Sequence, residues 1–381
     1  MYRERQTLSP VCRDLVSDRG GVPTLGGRSR SPENRIFSKE KVEEKPPETQ
    51  KGSYGKRLVG EDYPVKQVLT GAKLNKIYDV LARVPLFKDT RREDIGIEPL
   101  NSFTNLNYKV AVNGNIYVLR IAGKGTSTYI DRTAEEYNAR IATAAGLNAD
   151  VLFFDANDGT MLSRFIEGSH MDRIEFQRDP TAPARAALTL KRIHSINQAF
   201  KSRFGPFSPI DYYLELLRKL QVPLPDVYDE VKQGVDALRL ALEVATVPIA
   251  PCHNDTCPEN FVEVGRRIYL IDWEYSGMND PMWDLGNLSV EAGFGPEQDR
   301  AMMAAYWGGF VPPRLYDRMV LYKAMSDFFW GLWSIVQYAN NNPVADFRAY
   351  ALSRFEHCKT LMGTAEFGSH LDAVRVGYQD R

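Results

Sequence analysis

The stretch HNDTCPENFVEVGRRIYLIDWEY, residues 253–275, decides how this chain reads. It places Asp255 and Asn260 five positions apart on what reads as a tight loop, and an apolar β-run then delivers Asp272 twelve residues further on. Phosphoryl transfer needs a carboxylate that accepts a hydrogen bond from the attacking hydroxyl, together with oxygen ligands for a metal on the phosphates. Asp255 is read in the first role. Asn260, through its amide oxygen, and Asp272 are read as Mg²⁺ ligands. Alone, H-x-D-x-x-x-x-N has many chance matches; joined to an apolar strand ending in Ile271-Asp272 at this distance it is specific. The competing reading makes His253, Asp255 and Asn260 shapers of a turn and Asp272 a loop carboxylate. His253 itself is read as holding the loop through a hydrogen bond.

Outward from that stretch, residues 1–56 are rich in Arg, Ser, Pro, Gly and Glu, with almost no periodic apolar positions. Such a segment buries too little surface to offset its ordering entropy, and a disordered tail is expected over residues 1–58. Order is expected from Val65, where Val68, Leu69, Ile77, Val80 and Leu81 space like a helix that stops by Pro85. IGIEPL, NYKVAVNG and NIYVLRIAG follow as β-prone runs, with NGN as a hairpin turn between the last two. TYIDRTAEEYNARIATAAGL reads as one helix ended by Gly146, and ADVLFFDANDGTMLSRFI as two more strands. Helical patterns dominate from Ala182 to Phe355. The expectation is an α+β chain: a nucleotide-binding lobe over residues 65–166 with a small antiparallel sheet, then a mainly helical catalytic and substrate-binding lobe over residues 167–370.

The 381 residues carry 48 basic and 49 acidic side chains, a formal net charge of -1, so no global field recruits nucleic acid. Four scattered cysteines fit a reduced, cytoplasmic setting without a disulfide framework. The most apolar run, from Met319 to Tyr338, carries Lys323 and Asp327 and reads as a buried helix, not a membrane span.

HNDTCPENF, followed by YLIDWEYSGMNDPMWDLGN, resembles the choline and ethanolamine kinase branch of the aminoglycoside phosphotransferase superfamily, the bacterial-type choline kinases included. The likeness runs over residues 95–342, specific in its two C-terminal motifs and looser before them. It implies a protein-kinase-like two-lobed fold with ATP and Mg²⁺ in the cleft. In LNSFTNLNYKV it implies a phosphate-covering hairpin, with Ser102, Thr104 and Asn105 near the nucleotide phosphates. This stretch departs from the glycine-rich loop of protein kinases, so hydroxyl, amide and backbone donors would make the contact. Arg120 stands where protein kinases carry lysine, Glu135 would pair with it, and Phe165 and Ile166 would offer backbone groups to adenine.

The resemblance also gathers Tyr275, Glu291, Trp330 and Trp333 around a trimethylammonium group. A quaternary ammonium has no hydrogen-bond donor, so aromatic faces and diffuse charge must hold it. Trp330 and Trp333, three apart on one helix face, otherwise read as core. Asp284 is expected to brace the loop, and Glu274 stays open between support and metal contact. The expected activity is ATP-dependent phosphorylation of choline. Ethanolamine, thiamine or an aminoglycoside are the rival acceptors, and a catalytically silent binder with the same fold is the rival of another class. The expected partner is a small-molecule cation, with no nucleic acid and no membrane insertion, and the sequence leaves a homodimer open.

Overall fold

The computed structural model describes residues 69–376. The tail expected over residues 1–58 and the expected helix start at Val65 lie outside the described residues.

Order begins with α1 (Gly71–Leu81), capped by Thr70, whose hydroxyl accepts from the Lys73 amide. The strands β1 (Gly96–Leu100), β2 (Leu106–Val112), β3 (Asn115–Ile121), β4 (Val151–Asp155) and β5 (Thr160–Arg164) form one antiparallel sheet in the order β1-β2-β3-β5-β4. At the β2–β3 turn Val112 faces Asn115, and Asn113 and Gly114 both have positive φ, 49° and 73°. Asn-Gly favours that two-residue hairpin because both positions tolerate the left-handed region. Tyr108, Val110, Val112, Tyr117 and Leu119 pack on Ile77 and Leu81 of α1. The alternation of each strand turns Asn107, Lys109, Val118 and Arg120 to the opposite face.

Helix α2 (Arg132–Ala144) begins later than the sequence pattern suggests, because Asp131 caps it, accepting from the Thr133 and Ala134 amides at 3.0 Å. Gly146, at φ 67°, ends it as expected.

Beyond β5 come the two-residue strand β6 (Ser169–His170) and the helices α3 (Arg173–Arg178), α4 (Ala182–His194), α5 (Phe207–Lys219) and α6 (Asp226–Val244). Four short strands interrupt them: β7 (Ala250–Cys252), β8 (Phe261–Val264), β9 (Arg267–Leu270) and β10 (Gly277–Asn279). The helices α7 (Pro281–Ala292), α8 (Pro296–Trp307), α9 (Pro313–Ala339), α10 (Phe347–Met362) and α11 (Ala365–Arg375) complete the described chain. Strands β6, β8 and β9 form one small sheet, β7 and β10 another.

Helix α9 is buried on every side from Arg318 to Gln337, which makes it the axis of the helical part, and α7, α5, α10 and α11 pack around it. The α7–α9 approach depends on Gly286, where an added Cβ would meet the Met319 carbonyl oxygen at 2.8 Å. Among the described residues no helix is long and apolar enough to cross a membrane.

Candidate active site

The loop between β7 and β8 carries Asp255 and Asn260, and its shape is imposed by buried groups of α7. Asp284, fully buried in the first turn of α7, accepts the amides of His253 and Asn254 at 2.8 Å each, and its Oδ2 meets His194 Nε2 at 3.0 Å. Asn287 accepts the Thr256 amide at 2.7 Å. Asn254, at φ 68°, is held in the left-handed region by its neighbours: its side chain donates to the Tyr275 carbonyl and accepts from Asn279, and its own carbonyl accepts from Trp283 Nε1. Burial lowers the His253 pKa, so the ring is neutral, and its Nε2 donates to the Ile271 carbonyl at 2.9 Å. That bond ties the catalytic-type loop to the segment bearing Asp272.

Asp255 is half-buried on this loop. Burial, with the charges of Glu274 and Glu259 added, pushes its carboxyl up to about 7. Asn260 donates its Nδ2 to the Asp255 carbonyl at 2.9 Å, leaving the amide oxygen for a cation. Asp272 lies just past β9 at φ 65°, and its Oδ1 is buried without a hydrogen-bond partner. Burial and the Glu274 charge raise the Asp272 pKa well above the carboxylate range, against the pull of Arg120. An unpartnered buried carboxylate oxygen and an amide oxygen are hard donors that fit Mg²⁺.

Arg120 on β3 forms a buried ion pair with Glu135 of α2, and its second nitrogen donates to the Gly159 carbonyl at 3.1 Å. The same nitrogen that meets Glu135 lies 3.3 Å from Glu274 and 3.9 Å from Asp272. Asn105 turns inward from the tip between β1 and β2, donating to Glu274 at 2.9 Å and accepting the Gly123 amide at 3.1 Å. Gly123 must be glycine there, since a Cβ would sit 1.9 Å from the Thr104 carbonyl oxygen. Ser102 and Thr104 are half-buried on the same tip. At the connector, the Phe165 amide is already bonded to the Ile116 carbonyl at 3.1 Å, so of its backbone only the carbonyl is left for a ligand. Ile166 is half-buried beside it.

The structure brings Tyr275, Trp330 and Trp333 together as a chain of edge-to-face rings, at 5.4 Å and then 5.6 Å between centroids. Glu291 is ion-paired with Arg354 of α10, which also lies 3.3 Å from Asp327. His357 Nδ1 meets Asp327 Oδ2 at 2.6 Å. Several residues of this site were not singled out by the sequence. Tyr213 places its hydroxyl 3.5 Å from that of Tyr275, and burial raises its pKa, with the Asp255 charge contributing. Burial raises the pKa of the Tyr350 phenol, and the Asp327 charge adds to it. Arg132 is the other omission. Its sequence signal was the i, i+3 spacing to Glu135 on one face of a helix, which it meets at 2.7 Å.

Residues 96–322 match the Phosphotransferase enzyme family. The chain belongs to that family. A solved choline/ethanolamine kinase family protein from Mesorhizobium loti is 43% identical, with a TM-score of 0.70, covering 80% of this chain and 99% of that one. The choline kinase LicA from Streptococcus pneumoniae is 28% identical, with a TM-score of 0.65 over 75% of this chain and 99% of its own. Ethanolamine kinase 1 of Mus musculus is 26% identical over 280 residues, 63% of this chain and 76% of its own length. This phosphotransferase therefore has the protein-kinase-like two-lobed α+β fold expected from its motifs, and it is a kinase-type enzyme of the choline/ethanolamine kinase group.

Proposed function

We infer that this phosphotransferase moves the γ-phosphoryl group of ATP onto the hydroxyl of choline, giving phosphocholine and ADP. The observation that carries this reading is the aromatic chain of Tyr275, Trp330 and Trp333, with Glu291, the acid the resemblance gathers with them, already ion-paired with Arg354. A trimethylammonium group needs ring faces and diffuse negative charge, which this arrangement offers. A primary ammonium needs directed acceptors, and Glu291 is already taken by Arg354.

In this reading Asp255 accepts the hydrogen bond of the acceptor hydroxyl and takes its proton as the oxygen attacks phosphorus. Its carboxyl near 7 suits that exchange at neutral pH. Asn260 and Asp272 would hold Mg²⁺, which supplies neutralisation of phosphate charge. Arg120, fixed by Glu135, would present its positive charge to the phosphates, and Ser102, Thr104 and Asn105 would cover them. The Phe165 carbonyl and the Ile166 backbone would face adenine. Residues 65–166 then act as the nucleotide-binding lobe and residues 167–370 as the catalytic and substrate-binding lobe.

ADP release measured with Mg²⁺-ATP and choline, ethanolamine, thiamine or an aminoglycoside tests the assignment. Choline should turn over fastest. Faster turnover of ethanolamine would make this an ethanolamine kinase, the reading favoured by the mouse relative. No ADP with any acceptor would leave a silent binder.

A further inference from the structure

The sequence left Glu274 open between support and metal contact, and the structure gives it an occupation of its own. Glu274 follows Asp272 by two residues on the segment after β9, yet its bonds run to the opposite side of the cleft. Its Oε1 receives Arg132 NH1 at 2.7 Å and Asn105 Nδ2 at 2.9 Å, and lies 3.3 Å from Arg120 NH1. The first comes from the start of α2, the second from the tip between β1 and β2, and the third from β3. These donors are themselves linked: Arg132 NH2 donates to Thr126 Oγ1 at 2.6 Å, Thr126 donates to the Gly123 carbonyl at 2.8 Å, and the Gly123 amide returns to Asn105. Asp272 presents the opposite picture, a buried oxygen with no hydrogen-bond partner, 3.9 Å from Arg120.

Building on the phosphotransferase reading above, we propose that Glu274 is a positioning residue and not a metal ligand. It clasps the hairpin tip, Arg120 and Arg132 to the segment that carries Asp272, and so sets the phosphate-facing elements in register with the catalytic loop before any nucleotide binds. Two carboxylates, Glu135 and Glu274, face two guanidiniums, Arg120 and Arg132, across this contact. Such a charge-balanced buried set fixes geometry because losing one member leaves the others uncompensated.

Amide hydrogen exchange on the full chain, without nucleotide and in EDTA, tests this directly. Glu274→Ala should raise exchange at residues 101–105 and 123–132 by about tenfold or more, as should Asn105→Ala at residues 101–105. The double variant should add little at that tip. In the ADP-release assay Glu274→Ala should lower kcat about tenfold while the Mg²⁺ concentration for half-maximal rate stays put. If Glu274→Ala proves unstable, Glu274→Gln, which keeps an acceptor oxygen for Asn105 without the charge, should show intermediate exchange. Unchanged exchange at the tip, or a tenfold rise in the Mg²⁺ requirement with Glu274→Gln but not with Asn105→Ala, would overturn the proposal. The exchange arm needs no acceptor, so a failure of choline turnover would leave it standing.

Discussion

Asp255→Asn should stabilise the nucleotide-free protein while abolishing its chemistry. The Asp255 carboxyl titrates at about 7 in the fold against an ordinary 3.8, because burial and the charges of Glu274 and Glu259 oppose its ionisation. A group whose folded pKa is raised contributes stability that is full below 3.8 and is lost as pH rises to 7, after which the loss is constant. At about 1.4 kcal/mol per tenfold, the ionised carboxylate costs the fold about 4 kcal/mol above pH 7, and water reaching the half-buried side chain reduces this to about 2 kcal/mol. Asparagine carries no charge, so in EDTA at pH 8 the variant should melt about 3 °C higher than the parent. The gain should shrink steadily toward pH 4. Turnover should fall by about 10³-fold or more, with ATP binding by calorimetry little changed. A gain over the parent no larger at pH 8 than at pH 4 would refute the argument that the site holds this carboxylate against its preference.

Two further outcomes test the frame around that residue. Asp284→Asn replaces an acceptor of the His253 and Asn254 amides and of His194 with a group that can accept on one side only. One buried donor then loses its partner, so stability should drop by about 2 kcal/mol and kcat by about 100-fold, seen by thermal melts and ADP release. Trp330→Ala removes the ring between Tyr275 and Trp333 and should raise the choline KM by about 30-fold, with the ATP KM unchanged. An equal loss in both KM values would count against the acceptor assignment.

The candidate positions for the chemistry could be grouped from the sequence because they are local. Asp255 and Asn260 share one loop, Asp272 follows one strand, and such spacing is a property of consecutive residues. The Asn-Gly hairpin and the wholly apolar character of α9 could also be read, since turn chemistry and hydrophobic periodicity act over a few residues. The start of α2 was misread by four residues because Asp131 interrupts an apolar pattern that continues through it, and capping outweighs that weak periodicity.

What the tertiary structure alone decided are the partners. Arg132 meets Glu274 across 142 positions and Asn105 meets it across 169. Glu291, expected beside a substrate cation, instead faces Arg354 of α10. A sequence states which side chains carry charge, and a motif can say which of them belong together. Whether a carboxylate is free for a ligand or already taken depends on which distant donor the packing of helices and strands brings within about 3 Å, and hydrogen-bond strength falls steeply beyond that separation.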